Sequence, residues 1–566
     1  MKLLNLRWLY TARLLLGALI AMAGIAAIAA AQETVLHKSS IDEAETAWYQ
    51  WNLGLSRQNF ENVWTDTGSV IEDRIKAAQQ LAIQDWKFFR NYQSALTRLK
   101  QAEALGVKRS VTWQILSRIA RERADYTEAR ATAKKAMDAA ERASEKLDSR
   151  MLLAQAIHDQ AVEDRLHGKQ VDKSLLDEAY GALTAILVKE PGQPAASRLL
   201  LGVSVLREDG PTALRSWRNF FFIPGQQTAT GLLAQSGKSL DLLLPKWHGR
   251  LLSTSELQEL IIALAQSRFF EYALVVANDL KDLSGKEVES LAAIKGIVLY
   301  AKFVRFLKQT TDEYYRQIAI NTSKKSIPSL AKEYQDKLWG EAARLWEQLP
   351  FSGERPKFKQ QLFLAEINRR FGAEFLGPGP SSSCGYALFM GHRIGDDTIE
   401  VQQYGHKAKL RYIVLDSMVS NDYSGWFWDG RALPGGWANG HTIVWIREGN
   451  LGQPFGLWRM VADPANRSET EKLIAQNTAL DDTLIRKNPY TYLPGLSLRL
   501  QFDAANRIYE AQKAKGYKDN DLCVAFVNEF LRLKLEFGII AHEGRHAIDM
   551  LDHPIVVGTG APAELR

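Results

Sequence analysis

The sequence predicts a mainly α protein, with an N-terminal solenoid of helix pairs followed by a smaller α+β domain. Three observations predict it. From Ala44 to about Gly372, apolar residues recur at intervals of three and four with few β-branched runs, which is the period of amphipathic helices. The run Gly377-Pro378-Gly379-Pro380-Ser381-Ser382-Ser383 then breaks that pattern, because it cannot continue a helix. Beyond it, residues 398–401, 410–415 and 441–447 are short β-rich runs parted by Gly, Asn and Asp, and helical spacing returns over 498–515 and 521–550. Strands first and helices afterwards are the order of an α+β domain. The expected boundaries are a leader or anchor over 1–31, the helical array over 32–376, a linker over 377–385 and the α+β domain over 386–566.

The bulk properties narrow the function classes. A chain of 566 residues is too long for one hydrophobic core. Its 46% apolar and 24% charged residues are ordinary globular usage. The net charge of +6 is spread over 71 basic and 65 acidic residues with no long Lys/Arg block, which argues against a nucleic-acid partner. Fifteen tryptophans are expected in the core or in interfaces before they are expected to stack on bases.

The N-terminus reads as an export signal. Lys2, Arg7 and Arg13 precede an uncharged stretch from Leu14 to Ala31, and Ala29-Ala30-Ala31 before Gln32 fits the small-residue rule for cleavage. The expectation is an exported, periplasmic protein of bacterial type. The alternative is that the same stretch stays in the bilayer as an anchor, with the remaining chain facing the periplasm. Export would permit a disulfide between the two cysteines, Cys384 and Cys523. Neither lies in a CxxC pattern, so a thiolate zinc site is not expected.

Within the helical part, Trp113, Leu116, Ala120, Ala129, Ala133 and Ala136 form one striped pair of segments, with Asp125-Tyr126 at the turn. A second set, Leu257, Leu260, Leu264, Ala273, Ala277 and Leu280, has the same spacing, with Phe270-Glu271-Tyr272 at its turn. A looser third surrounds Leu201-Gly202, after Pro191 has ended the preceding helix. The spacing is similar to that of tetratricopeptide repeats in degenerate form. That resemblance implies a helical-repeat solenoid, whose concave surface would take a peptide or protein partner. Each stripe taken singly is also what core packing between neighbouring helices requires.

The chemistry-bearing motif lies near the end of the chain, at His542-Glu543-Gly544-Arg545-His546. Two histidines four apart on a helix share a face, so their ring nitrogens can reach one metal ion. A Glu directly after the first His stands beside the metal, where it can accept a proton from water. The apolar spacing of Phe537, Ile540 and Ile548 places the motif on a helix. The run Ala541 to Ala547 resembles the active-site helix of HExxH zinc peptidases, the zincins, and within them the gluzincin branch.

The resemblance implies one zinc ion held by His542 and His546, with Glu543 as general base, and a peptide or protein as substrate. It covers about Gly538 to Glu564. A gluzincin takes its third ligand from a Glu on a later helix, and seventeen residues separate His546 from Glu564, which makes Glu564 the first choice. A helix starting near Pro562 would have barely one turn before Arg566, so a chain truncated at its C-terminus is expected. The alternative third ligand is Asp552, six residues past His546 as in compact zincins, although those carry Gly where Asp549 stands. His553 is offset from that position by one.

Asp549 is expected to accept an N–H from a ligand histidine, or to be an ordinary acid on the helix face. Candidate oxyanion donors are Tyr490, Tyr492 and His441. The segment 441–447 could be the edge strand that pairs with substrate, with Trp426 to Gly430 and Leu433 to Trp437 as a subsite wall or simply an aromatic core and turn. Three functional expectations follow: a zinc peptidase, an envelope scaffold that binds partners through its repeats beside an inactive zincin-like domain, and a zinc hydrolase of another amide such as one in the cell wall.

Overall fold

The computed structural model describes residues 40–552, apart from 50–51, 88, 90, 107–108, 222–231, 248–251, 286, 321–324, 382–384, 404, 421–435, 440, 448–449, 451 and 488–492. The expected leader over 1–31 lies outside the described residues. Among the described residues, no helix is long and apolar enough to cross a membrane. Contacts divide the chain into two units, 1–77 and 78–566.

The described residues are mainly helical with one small sheet. In the first unit, α1 (Ile41–Tyr49) packs on α2 (Leu53–Thr65), which is capped by the Asn52 side chain on the Leu55 amide. Helix α3 spans Ile71–Lys87. There follow α4 (Tyr92–Ala104), α5 (Ser110–Glu122), α6 (Tyr126–Asp138), α7 (Ala143–Leu166), α8 (Lys173–Lys189), α9 (Pro194–Leu206), α10 (Gly210–Phe221) and α11 (Leu232–Leu243). Then come α12 (Thr254–Gln266), α13 (Phe270–Ser284), α14 (Lys295–Ile320), α15 (Ile327–Gln348) and α16 (Gln360–Phe371). Along α5 to α10 each helix packs on the next, and α5 and α7 also meet α7 and α9 respectively.

Three helix pairs share one turn. Between α5 and α6, α9 and α10, and α12 and α13, the residues Ala124, Glu208 and Arg268 each take a left-handed φ, of 57°, 59° and 69°. The next amide in each turn closes a six-to-one bond, Asp125 to the Ala120 carbonyl, Asp209 to Ser204 and Phe269 to Leu264, at 2.8–2.9 Å. This is the bonding of a Schellman helix end, repeated at equivalent positions. The small residues expected at the first turn bury as a group, with Ala120 and Ala129 packing on Ala156 of α7.

Glu122, at the end of α5, accepts bonds from the Trp86 indole and the Tyr92 hydroxyl. Burial outweighs those bonds and raises its carboxyl from 4.5 to about 8. The folded state therefore holds this proton more tightly than the unfolded chain does. Its stabilising contribution is complete below 4.5 and is lost as pH rises through about 8. Glu122→Gln keeps the acceptor oxygen without the charge, so it should flatten that loss and be more stable than wild type at pH near 9. Urea midpoints at pH 6 and 9 check this, and parallel pH slopes for the two proteins would refute it.

The sheet follows α16 directly. Its strands are β1 (Ala373–Ser381), β2 (Gly385–Gln403), β3 (His406–Ser420), β4 (Gly436–Asn439) and β5 (Thr442–Ile446), in the order β1-β2-β3-β5-β4. Only β3 and β5 run parallel. The expected linker over 377–385 is corrected here: residues 377–381 belong to β1, and Gly385 opens β2. The prolines are tolerated because β1 is an edge strand and because the register shifts between Leu376 and Gly379, where ladder donors are not required. Nor does the core stop there. One buried cluster runs from Val162 through Phe363 and Ala373 into Leu388, Met390 and Val419 of the sheet and on to Phe526.

The chain closes with α17 (Gln453–Ala462), α18 (Pro464–Lys487), α19 (Pro494–Ala514), α20 (Asp519–Leu533), a π-helical stretch Lys534–Ile540 and α21 (Ala541–Asp552). Arg459 on α17 joins this part to the helical array through Asp148 at 2.8 Å and through Glu190. Cys523 on α20 is a free, buried thiol that burial pushes up to about 12. The bridge expected between it and Cys384 falls on a residue outside the described residues.

Candidate metal centre

The site is built on α21. Two faces of this helix are fixed by its residue order, since each step turns about 100°. Gly544, Ala547 and Ile548 face the sheet, and Ala547 and Ile548 join Val401, Leu410, Tyr412, Ile443 and Trp445 in one cluster. His542 and His546 fall on the opposite side, the first exposed and the second half-buried. Helix and sheet approach closely only because residue 544 is Gly. A Cβ there would lie 2.7 Å from Val401 Cγ1. Gly544→Ala should therefore cost about 1–3 kcal/mol and lift the helix from β2. Val401→Ala in the same chain should restore much of it, and thermal melts of the single and double variants check the pairing.

The π-helical stretch matters to this docking. Up to Leu531, α20 buries its apolar face in the main core, whereas Ile539, Ala547 and Ile548 bury against the sheet. The Ala541 amide bonds to the Glu536 carbonyl, five residues back, and the wider turn shifts which residues face inward. Phe537 consequently points to solvent, 64% exposed, while Ile548 of the same apolar spacing is buried.

The two imidazoles converge. Their Nε2 atoms are 3.3 Å apart, with the rings nearly perpendicular at 88°. His542, Glu543 and His546 each bring a ligand-type atom to within 4.8 Å of the others. The donor set fits zinc. A tetrahedral ion bound at roughly 2.0–2.1 Å by each nitrogen separates them by about 3.3–3.4 Å. Two neutral imidazoles at this distance can also share one N–H···N bond, so the geometry suits a proton as well as a metal.

The other expected residues divide. Asp549 is 5% exposed and accepts from Arg545 one turn back on the same helix, as the expected acid on the helix face would. The i, i+4 spacing brings the guanidinium onto that carboxylate. Asp552 is the last residue of α21, and Glu564, His553, Tyr490 and Tyr492 lie outside the described residues, as do 426–430 and 433–435. His441 is exposed, immediately before β5. The expected edge strand is also corrected: β5 is flanked by β3 and β4, and β4 is the edge on that side.

Sequence reasoning missed Gln403, at the end of β2. Its side-chain amide donates to the Ala541 carbonyl, directly before His542. The available signal was strand alternation, which puts Gln403 on the same side as Val401. Comparison of the chain with protein-family models, with curated proteins and with solved structures found no match.

Proposed function

We propose that this chain is an exported zinc-dependent peptidase, working in the periplasm either free or tethered by its N-terminal segment. The observation that carries the reading is the pair of Nε2 atoms 3.3 Å apart on an accessible helix face, with the Glu543 carboxylate beside them. His542 and His546 would hold the ion, with Glu564 or Asp552 as third ligand. A zinc ion bound there supplies Lewis-acid polarisation of the scissile carbonyl and makes a neighbouring water more acidic. Glu543 accepts the proton of that water as its oxygen bonds to the carbonyl carbon, and returns the proton to the amine nitrogen as the C–N bond breaks.

The helical part is read as a solenoid of degenerate tetratricopeptide-like pairs. Support comes from the turn repeated at Ala124, Glu208 and Arg268. This favours a second reading, in which the repeats recruit an envelope partner and the HExxH domain is inactive. Helix α7 nevertheless bonds across the array to later helices, His158 to Tyr272 at 2.8 Å and Glu163 to Arg305 at 2.6 Å, so part of its polar face is already engaged.

Incubating the purified protein with casein, a peptide library and isolated peptidoglycan, each with and without a zinc chelator, separates the readings. Chelator-sensitive cleavage of casein or peptides is expected. Release from peptidoglycan alone would assign another amide, and no cleavage together with recovery of a bound envelope protein would favour the scaffold.

A further inference from the structure

We infer that Gln403 is a positioning residue for the metal centre, through its bond to the main chain at the start of the site helix; this rests on the zinc reading above. Helix α21 is fixed to β2 at two points. At one, Gly544 sits on Val401; at the other, the Gln403 amide donates to the Ala541 carbonyl. Residues 401 and 403 are alternate positions of one strand and so share its helix-facing side. The cross-strand partners agree. Val401 pairs with Ala408, which packs in the same cluster as the helix, and Gln403 pairs with His406, the first residue of β3.

Two contacts do what one cannot. The Gly544 contact sets how deep the helix lies, and the apolar packing of Ala547 and Ile548 on the sheet supplies no directional bond against roll about the helix axis. A hydrogen bond to a carbonyl at the helix end opposes that roll. The spacing between His542 and His546 is set within the helix and survives rolling. What rolling changes is the direction in which both nitrogens point, and therefore whether a third donor from another segment meets them. Gln403 acts on affinity through that direction, as outer residues that orient metal ligands do.

The donor requirement makes the test specific. Gln403→Glu keeps the shape and, when ionised, can only accept, so it cannot bond to the carbonyl. Gln403→Lys keeps a donor on a chain of similar reach. Zinc affinity of the full chain is measured by competition with a chromophoric chelator, beside thermal melts of the metal-free proteins. The expected result is a 10- to 100-fold weaker zinc Kd in Gln403→Glu, recovery in Gln403→Lys, and metal-free melts that overlay wild type, on the scale of outer-residue substitutions. Wild type that binds zinc together with a Gln403→Glu protein of the same affinity overturns this inference alone. A wild type that takes up no zinc overturns the functional reading and this inference with it.

Discussion

Glu543→Gln is expected to lower peptide turnover by about 10²- to 10⁴-fold while leaving zinc content at the wild-type level. The carboxylate stands within 4.8 Å of both imidazole nitrogens, close enough to meet a water that they help to place. Glutamine has the same shape and retains the acceptor oxygen, but its amide does not take the proton. His542→Ala should lose activity by a different route, through loss of the ion. The pair of variants separates proton transfer from metal binding, provided that zinc and rate are measured on the same preparations. Turnover in Glu543→Gln within tenfold of wild type would remove this residue from the reaction.

The second large effect concerns the join between helices and sheet. Asp416 on β3 is 0% exposed and Arg447, just after β5, is 4% exposed, with their charged atoms 3.3 Å apart. The same guanidinium donates to the Phe220 carbonyl on α10 and lies over the Phe220 ring at 4.4 Å. One buried cation thus ties α10 to two strands. Asp416→Ala takes away the carboxylate and leaves the cation in place, a change that costs about 3–5 kcal/mol in buried pairs. The double variant Asp416→Ala/Arg447→Met should be less damaged than the single one, because the buried Arg447 charge is then not stranded, although Arg198, 3.9 Å from Asp416, and the buried Arg268 still lose that carboxylate. Denaturant midpoints of the three proteins check the order. Equal loss in the single and double variants would show that packing, and not charge, governs this join.

The helices were legible because each buries one stripe. Trp113, Leu116 and Ala120, and again Leu257, Leu260 and Leu264, lie on inward faces at the spacing read from the chain. The HExxH run was legible for the same reason, since the helical period alone brings His542 and His546 together. What escaped was decided by partners distant in sequence. Gly377 to Ser381 looks like a linker in isolation and becomes strand because β2 offers it a ladder at the sheet edge. Helix α18, Pro464–Lys487, was not foreseen, being polar with Leu473 and Ile485 exposed.

The π-helical stretch escaped for a related reason. No local residue announces it, and its register reflects a change of core, from helices to sheet, that only the assembled fold imposes. Between the two expectations for Asp549, a histidine's acceptor or an acid on the helix face, spacing alone did not decide; Arg545 lies one turn away on the same helix and donates to it. Burial of Ala373, Tyr386, Leu388 and Met390 in one core likewise depends on α15 and β2 meeting, which composition could not reveal.

The most direct test is metal analysis of the exported protein, purified without added metal, beside His542→Ala and His546→Ala. The account predicts one zinc per wild-type chain and almost none in either variant, with metal-free folding intact. Wild type without zinc, or equal zinc in all three proteins, would contradict it.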